Sequence, residues 1–311
     1  MNILLTGATG FTGKRFLEIL LLQNYNVRVL LRETSNIDKI DKRVTICQGN
    51  LFDASFLKSS MKDIDIVFHL AALRGETCRP WKEYEETNII LTQRLLEASR
   101  NVKRFIFCST VGVMGFGTGL SEKSPLKPCG NYHISKNEAE KICLSYKNCI
   151  IVRPSIVYGP EDNGFLYKLI NLIKKRRFII IGNGKNKIHM VHTDNLCKGF
   201  IDMALKGRAG ETYILADRKA LTVSEISHII AKKSGVTIPS VTVPRMIAVP
   251  LAFLFERLFS LLCPGKDPFL SVSKVDILSL NQDFDISKAI SAGYNPEIGP
   301  ETGIEDCVDY F

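Results

Sequence analysis

Apolar runs and helical periodicity alternate along the first half of the chain. Asn2-Ile3-Leu4-Leu5-Thr6 is a short apolar run, and Lys14-Arg15-Phe16-Leu17-Glu18-Ile19-Leu20-Leu21-Leu22 has helical composition. Further strand-like runs follow at Asn26 to Arg32, Val44 to Leu51, Asp65 to Ala72 and Arg104 to Thr110, with a long helix expected from about Tyr84 to Arg100. Strands that alternate with helices predict an α/β chain, a doubly wound parallel sheet with helices on both faces. Ligands bind such sheets at the carboxyl ends of the strands.

The first strand runs into Gly7-Ala8-Thr9-Gly10-Phe11-Thr12-Gly13. Glycines there let the backbone approach a pyrophosphate, and the following helix offers free N–H groups and a positive dipole end. A phosphate-binding loop of the nucleotide-triphosphatase kind needs Gly six residues before its Lys and a Ser or Thr after it. Here Ala8 and Arg15 occupy those places around Lys14. The turn therefore predicts a dinucleotide site of the Rossmann type. Arg32, at the end of the second strand, falls about 20 residues after the glycines, where an acid reads the ribose 2′-OH of NAD and an Arg accommodates the 2′-phosphate of NADP. No acid stands at 31 or 32, although Glu33 follows, so NADP is the expected preference over NAD.

Bulk properties narrow the class. With 311 residues and 45% hydrophobic positions the chain can bury a full core, and it has no repeat or low-complexity tract. Nine cysteines are scattered singly, with no Cys-x-x-Cys, so neither a disulfide framework nor a zinc site is expected. Reduced thiols, and an apolar strand starting almost at Met1 with no room for a signal peptide, point to the cytoplasm. The net charge of +9 comes without a basic arm or aromatic-interleaved basic motif, which argues against nucleic acid. The densest cluster, Lys174-Lys175-Arg176-Arg177, follows Leu166, Leu169, Ile170 and Ile173 on one helical face, where cations suit a helix C-terminus. An anionic ligand or membrane surface is the other reading. His69 is expected as a packed core histidine, without a second metal ligand at useful spacing. The most apolar segment, Met246 to Leu262, contains Pro250, Glu256 and Arg257 and falls short of a membrane span. It is expected as a helix covering a greasy substrate pocket, with peripheral membrane contact as the alternative.

Tyr132 and Lys136 are four residues apart and share a face if helical. A Tyr near its usual pKa is a poor base at neutral pH, and a neighbouring ammonium favours the phenolate. A downward shift of about three units needs roughly 4 kcal/mol of differential interaction. Lys136 together with a cationic nicotinamide would supply it.

The ordered set Thr6-Gly7-Ala8-Thr9-Gly10-Phe11-Thr12-Gly13, His69-Leu70-Ala71-Ala72, Asn88, Ser109-Thr110 with Gly115 beyond, Tyr132-x-x-Ser135-Lys136 and Arg153-Pro154-Ser155-Ile156-Val157-Tyr158-Gly159-Pro160 resembles the extended short-chain dehydrogenase/reductase family. The resemblance continues through Val191-His192-Thr193-Asp194-Asn195-Leu196 to Phe284-Asp285-Ile286-Ser287-Lys288-Ala289 and Gly293-Tyr294-Asn295-Pro296, nearly the whole chain. It implies last sheet strands at about 149–158 and 211–216. It also implies a dinucleotide-binding domain of 1–154 plus about 183–216, and a smaller substrate lobe of about 155–182 and 217–311.

The resemblance further implies roles. Tyr132 is the acid/base; Lys136 holds the nicotinamide ribose and lowers the Tyr132 pKa; Thr110, with Ser109 as the fallback, bonds the reacting oxygen; Asn88 supports the active-site helix. The cofactor surface comprises Gly7, Thr9, Gly10, Phe11, Thr12, Gly13, Arg32, Asn50, Leu51, Leu70, Ala71, Ala72, Tyr132, Lys136 and Pro154. Asn50 stands where the family usually has an adenine-binding Asp. Departures narrow the chemistry. Val111-Gly112 replace the Asp-Glu pair of family dehydratases, Ile156 and Ile188 replace polar contacts of many sugar-nucleotide enzymes, and Met114 stands where Tyr is common. Asp194-Asn195 and the apolar 246–262 stretch resemble the 3β-hydroxysteroid dehydrogenase branch. The expected activity is an NAD(P)-dependent oxidoreductase acting on a small keto-sugar nucleotide, sterol or isoprenoid-like molecule. Its alternatives are a nucleotide-sugar 4-epimerase and a non-catalytic nucleotide-binding subunit. Homodimers are common in the family.

Overall fold

The computed structural model describes residues 1–38, 40–75, 79–238, 241–262, 268 and 270–311. Seven parallel strands form the central sheet: β1 (Asn2–Thr6), β2 (Asn26–Arg32), β3 (Thr45–Gly49), β4 (Ile66–His69), β5 (Arg104–Cys108), β6 (Cys149–Pro154) and β7 (Thr212–Leu215). Their order is β7-β6-β5-β4-β1-β2-β3. The chain starts in the middle, winds outward to β3, returns to β4 and winds out the other way. The reversal between β1 and β4 opens the crevice in which such sheets bind dinucleotides.

Alternation along each strand builds two cores. Ile3 and Leu5 point to one face, beside Phe16 and Leu20 of the Phe11–Leu22 helix and Leu196 and Phe200 of the Thr193–Lys206 helix. Leu4 points to the other, beside Leu57, Leu91, Leu95 and Ala139 from three further helices. Burial on both faces explains why these strands read as continuous apolar runs.

A third core lies between the Phe165–Lys174, Val223–Lys233 and Pro300–Tyr310 helices. Leu166, Leu169, Ile170 and Ile173 supply the face expected for the first of these. A four-stranded sheet and two strand pairs complete this region.

Several expectations change in detail. The apolar run at 149–158 breaks at Ser155: β6 stays in the central sheet, while Ile156–Tyr158 pairs with Met190–His192. The fourth strand ends at His69, because the Ala71 amide bonds the Thr6 hydroxyl at 3.1 Å and leaves the ladder. The helix expected from Tyr84 begins at Trp81 and carries a π turn over Glu85–Ile90. That wide turn coincides with the buried amide of Asn88. The seven described cysteines are all free; Cys78 and Cys263 lie outside the described residues. Among the described residues no group could hold a metal ion, and no helix is long and apolar enough to cross a membrane.

Candidate active site

A cavity of about 960 Å³ runs along the carboxyl ends of the central strands. One end is walled by the glycine turn and by Arg32 and Ser35, the middle by Leu70–Ala72, Ser109, Thr110 and Tyr132, and the far end by Asp162, Phe165 and Gln282. All the predicted cofactor and catalytic residues line it except Asn50, Asn88 and Lys136.

The glycine turn is shaped by close approach. A Cβ on Gly13 would stand 2.0 Å from the Gly7 carbonyl oxygen, so the helix can begin this near the strand only without a side chain. Gly10 is different, since a Cβ there would meet only the Gly7 oxygen, at 3.4 Å. Its bareness serves the cavity rather than the packing. The helix from Phe11 has no side-chain cap, which leaves its first N–H groups to the cavity.

Arg32 is exposed at the tip of β2 and pairs with no carboxylate among the described residues. Gln48 fixes the turn behind it by donating to the carbonyls of Arg32, Glu33 and Ser35 at 3.3, 2.9 and 2.9 Å. Asn50 does not face the cavity wall, where Leu51 stands. Its side-chain oxygen accepts from the Phe52 amide at 2.9 Å, so it holds the turn after β3.

The Gly130–Leu144 helix carries Tyr132 and Lys136. Tyr132 lines the cavity and Lys136 lies behind it, 1% exposed. The Lys136 ammonium sits 3.9 Å from the centre of the Phe107 ring, and burial pushes its pKa down to about 8. The expected lowering of the Tyr132 pKa is not found in the protein alone. Burial pushes the phenol up to about 12, and the Arg74 charge pulls the other way. The reason is physical: desolvation outweighs the cations that the protein itself supplies.

Asn88 is 1% exposed and tied in three directions. Its oxygen accepts from the Leu73 amide at 2.7 Å, and its amide donates to the Leu73 carbonyl at 3.0 Å and to Ser135 Oγ at 2.9 Å. Ser135 in turn donates to the Tyr132 carbonyl. His69 joins the same buried column. Thr92 Oγ1 donates to the Asn88 carbonyl, so it must accept from His69 Nε2–H at 3.0 Å. The bare Nδ1 then accepts from Thr6 Oγ1 at 2.8 Å, and Thr6 accepts the Ala71 amide. Burial holds the His69 pKa down near 3, so the ring stays neutral, a packed histidine as expected.

Polar atoms wait along the cavity. Ser109 Oγ, Ser155 Oγ and Asp162 Oδ2 are buried without a partner among the described residues. Buried polar groups in native proteins almost always have partners, so these fit a bound polar ligand. Thr110 Oγ1 accepts from the Gly112 amide at 3.1 Å. Sequence reasoning missed Asp162, Arg74 and His133. Burial raises the Asp162 carboxyl. Arg74 lies close enough to act on both Tyr132 and Asp162. The ring of His133 packs over Gly112, with Nδ1–H donating to the Cys129 carbonyl at 2.8 Å. The sequence signal was faint: an acid in the turn after Gly159-Pro160, and an imidazole next to Tyr132.

Comparison with known proteins agrees with this geometry. Residues 3–216 match the model of the NAD dependent epimerase/dehydratase family. The chain is 28% identical to a 4-hydroxy-2-methyl-3-oxo-4-farnesyl-3,4-dihydroquinoline-1-oxide ketoreductase of Stigmatella aurantiaca, covering 85% of this chain and 82% of the relative. It is 26% identical to the N-acetyl-alpha-D-glucosaminyl-diphospho-ditrans,octacis-undecaprenol 4-epimerase of Escherichia coli O157:H7, over 99% and 95%. The crystal structure of UDP-glucuronic acid 4-epimerase from Bacillus cereus with UDP-glucuronic acid and NAD superposes with a TM-score of 0.77 at 25% identity, over 100% of this chain and 98% of that one. The chain belongs to the NAD dependent epimerase/dehydratase family, the extended short-chain dehydrogenases/reductases, and is an NAD(P)-dependent enzyme.

Proposed function

We propose that the protein interconverts a secondary alcohol and a ketone, with Tyr132 exchanging a proton with the reacting oxygen. The observation that carries this is that Tyr132, Thr110 and the unpartnered Ser109 hydroxyl open on the same cavity as the glycine turn. Bound nicotinamide supplies the hydride transfer. The turn from Gly7 to Gly13 would hold the pyrophosphate. Leu51, Leu70, Ala71, Ala72 and Pro154 would flank the nucleotide, and Lys136 would hold the ribose. Ser109 and Thr110 orient the substrate oxygen, while Asn88, through Ser135, keeps the Tyr132 helix in register. Residues of about 155–182 and 217–311 would form the substrate lobe.

The test is deuterium transfer. The purified protein is incubated with nicotinamide dinucleotide labelled with deuterium on the transferable carbon, and with keto-sugars, sterols and isoprenoid ketones. Deuterated alcohol released with oxidised cofactor is the expected result. A bound cofactor that never leaves, with inversion of a sugar hydroxyl and no net redox change, would point to 4-epimerisation. That second reading draws on the match to the undecaprenol-linked sugar epimerase over nearly the full chain. No turnover on any substrate would overturn both.

Arg32 beside Ser35, with no paired carboxylate among the described residues, supports NADP over NAD. Replacing Arg32 with Glu is expected to weaken NADPH binding by roughly 10- to 100-fold, since hydrogen bonds to charged groups contribute about 1.5–3 kcal/mol. NADH binding should barely change. Titration calorimetry on both dinucleotides checks this, and tighter NADH binding by the unaltered protein would count against it.

Lys136 predicts a pH dependence. A ribose that accepts from the ammonium stabilises the charged form and so raises its pKa above the free-protein value of about 8. Dinucleotide affinity should therefore be flat below pH 8 and fall about tenfold per unit above it, until the pKa of the complex is reached. In the Lys136→Met variant the affinity should be lower and lose this slope. Equal slopes in the two proteins would remove Lys136 from the site.

A further inference from the structure

The Arg245–Leu262 helix is turned inside out. Its small residues face the protein: Ala248 and Ala252 are 7% and 0% exposed, against Ile181 and Val275. Its large apolar residues face outward. Met246, Ile247, Leu251, Leu254, Leu258 and Leu261 are 52–89% exposed. The usual surface helix buries such residues and shows polar ones. The expectation that this segment covers a greasy pocket is thereby corrected: of its described residues only Glu256 lines the cavity.

Two further observations say what covers this face. The first is charge. The Phe165–Lys174 helix ends in Lys174-Lys175-Arg176-Arg177, three residues before the strand Ile180–Ile181. That strand pairs with Thr242–Val243, which leads directly into the outward helix. Lys232, at the end of the Val223–Lys233 helix, belongs to the same corner, because Val236 and Ile238 pack in one cluster with Phe178 and Ile180. Lys175, Arg176 and Arg177 are exposed and pair with no carboxylate among the described residues. The second is position. Glu256 and the neighbouring Val272–Ser279 helix, through Ser273 and Asp276, line the far end of the active-site cavity. Glu256 follows the buried Ala252 by one turn, so the inner side of the helix adjoins the cavity while its leucines face away.

We propose that this helix seats the enzyme on an anionic membrane surface, lying flat in the interface with its leucines in the acyl boundary. An exposed apolar helix beside a cluster of cations is the chemistry that recognises anionic lipid. Eighteen residues make a rod of about 27 Å, but Pro250, Glu256 and Arg257 suit it to lie in the interface rather than to cross. Arg257 sits 5.2 Å from the Phe253 ring centre, so its charge lies along the apolar surface. A substrate whose hydrophobic part stays in the bilayer would reach the cavity beside this helix. Membrane binding itself does not depend on the reaction proposed above.

Flotation with vesicles tests the assignment, using phosphatidylcholine alone and phosphatidylcholine mixed with phosphatidylglycerol. The full protein is expected to float at least tenfold more with the anionic vesicles. The Leu251→Glu/Leu254→Glu/Leu258→Glu variant alters only exposed side chains. It should keep its melting temperature and dinucleotide affinity and lose flotation at least tenfold. The Lys175→Glu/Arg177→Glu variant should fall to the level seen with neutral vesicles. Failure of the unaltered protein to float, or undiminished flotation of the triple variant, overturns the proposal. A protein that sediments as a dimer, floats with neither vesicle and becomes a monomer in the triple variant also overturns it, and gives the face to a second copy.

Discussion

Replacing Tyr132 with Phe is expected to lower kcat by about a hundred- to ten-thousand-fold while leaving dinucleotide affinity within a few-fold of normal. Positioned acid/base groups contribute on that scale, and Phe keeps the ring that lines the cavity but removes the only proton it can exchange. Stopped-flow turnover with a competent substrate, alongside dinucleotide titration, separates the two effects. Full activity would remove Tyr132 from the chemistry. The raised phenol of the protein alone gives the experiment a second reading. Work in the oxidation direction needs the phenolate, so a phenol near 12 has to be brought down by charges that arrive with the cofactor. The acid limb of the oxidation rate, where the phenolate takes up its proton, should then lie well below the pH at which Tyr132 ionises in the free protein.

The second large effect concerns stability. Arg153 at the end of β6 and Glu140 on the Tyr132 helix form a bidentate pair, at 3.0 and 2.6 Å, with side chains 6% and 2% exposed. Arg153→Met leaves a buried carboxylate without its partner and is expected to cost about 3–5 kcal/mol. Glu140→Met should cost a similar amount, because the guanidinium already has one unpartnered buried nitrogen, Nη1. The double variant should recover most of the loss, since replacing a whole buried pair with apolar side chains is often neutral or better. Denaturant unfolding of the four proteins checks this. Additive losses in the double variant would show that the pair is not coupled.

How much of this was legible in the sequence depends on distance along the chain. The glycine turn, the small residues after β4 and the hydroxyls after β5 are local patterns, and each lies on the cavity as expected. Long-range pairing was not legible. Nothing local says that Ile156–Tyr158 leaves the central sheet for Met190–His192, or that Arg74 stands near Asp162. The outward helix failed for another reason. A segment apolar on nearly every side offers no contrast from which to tell its inner face. The inner face is the one with Ala248 and Ala252, which are buried in one cluster with Ile181 and Val275. Lys136 was found by spacing, but its electrostatic effect was not, because desolvation depends on everything packed around it.

The buried column through His69 has a polarity. Each hydroxyl in it holds one proton, and each proton is already assigned: Ala71 to Thr6, Thr6 to His69, His69 to Thr92, Thr92 to Asn88. Like a one-way street, it admits a single direction of donation, from the edge of the glycine turn toward the helix that carries Tyr132. A change that keeps shape but deletes one proton, such as Thr92→Val, would therefore strand the imidazole N–H at one side and the Asn88 carbonyl at the other. Two regions far apart in the chain are in this way obliged to agree on a direction.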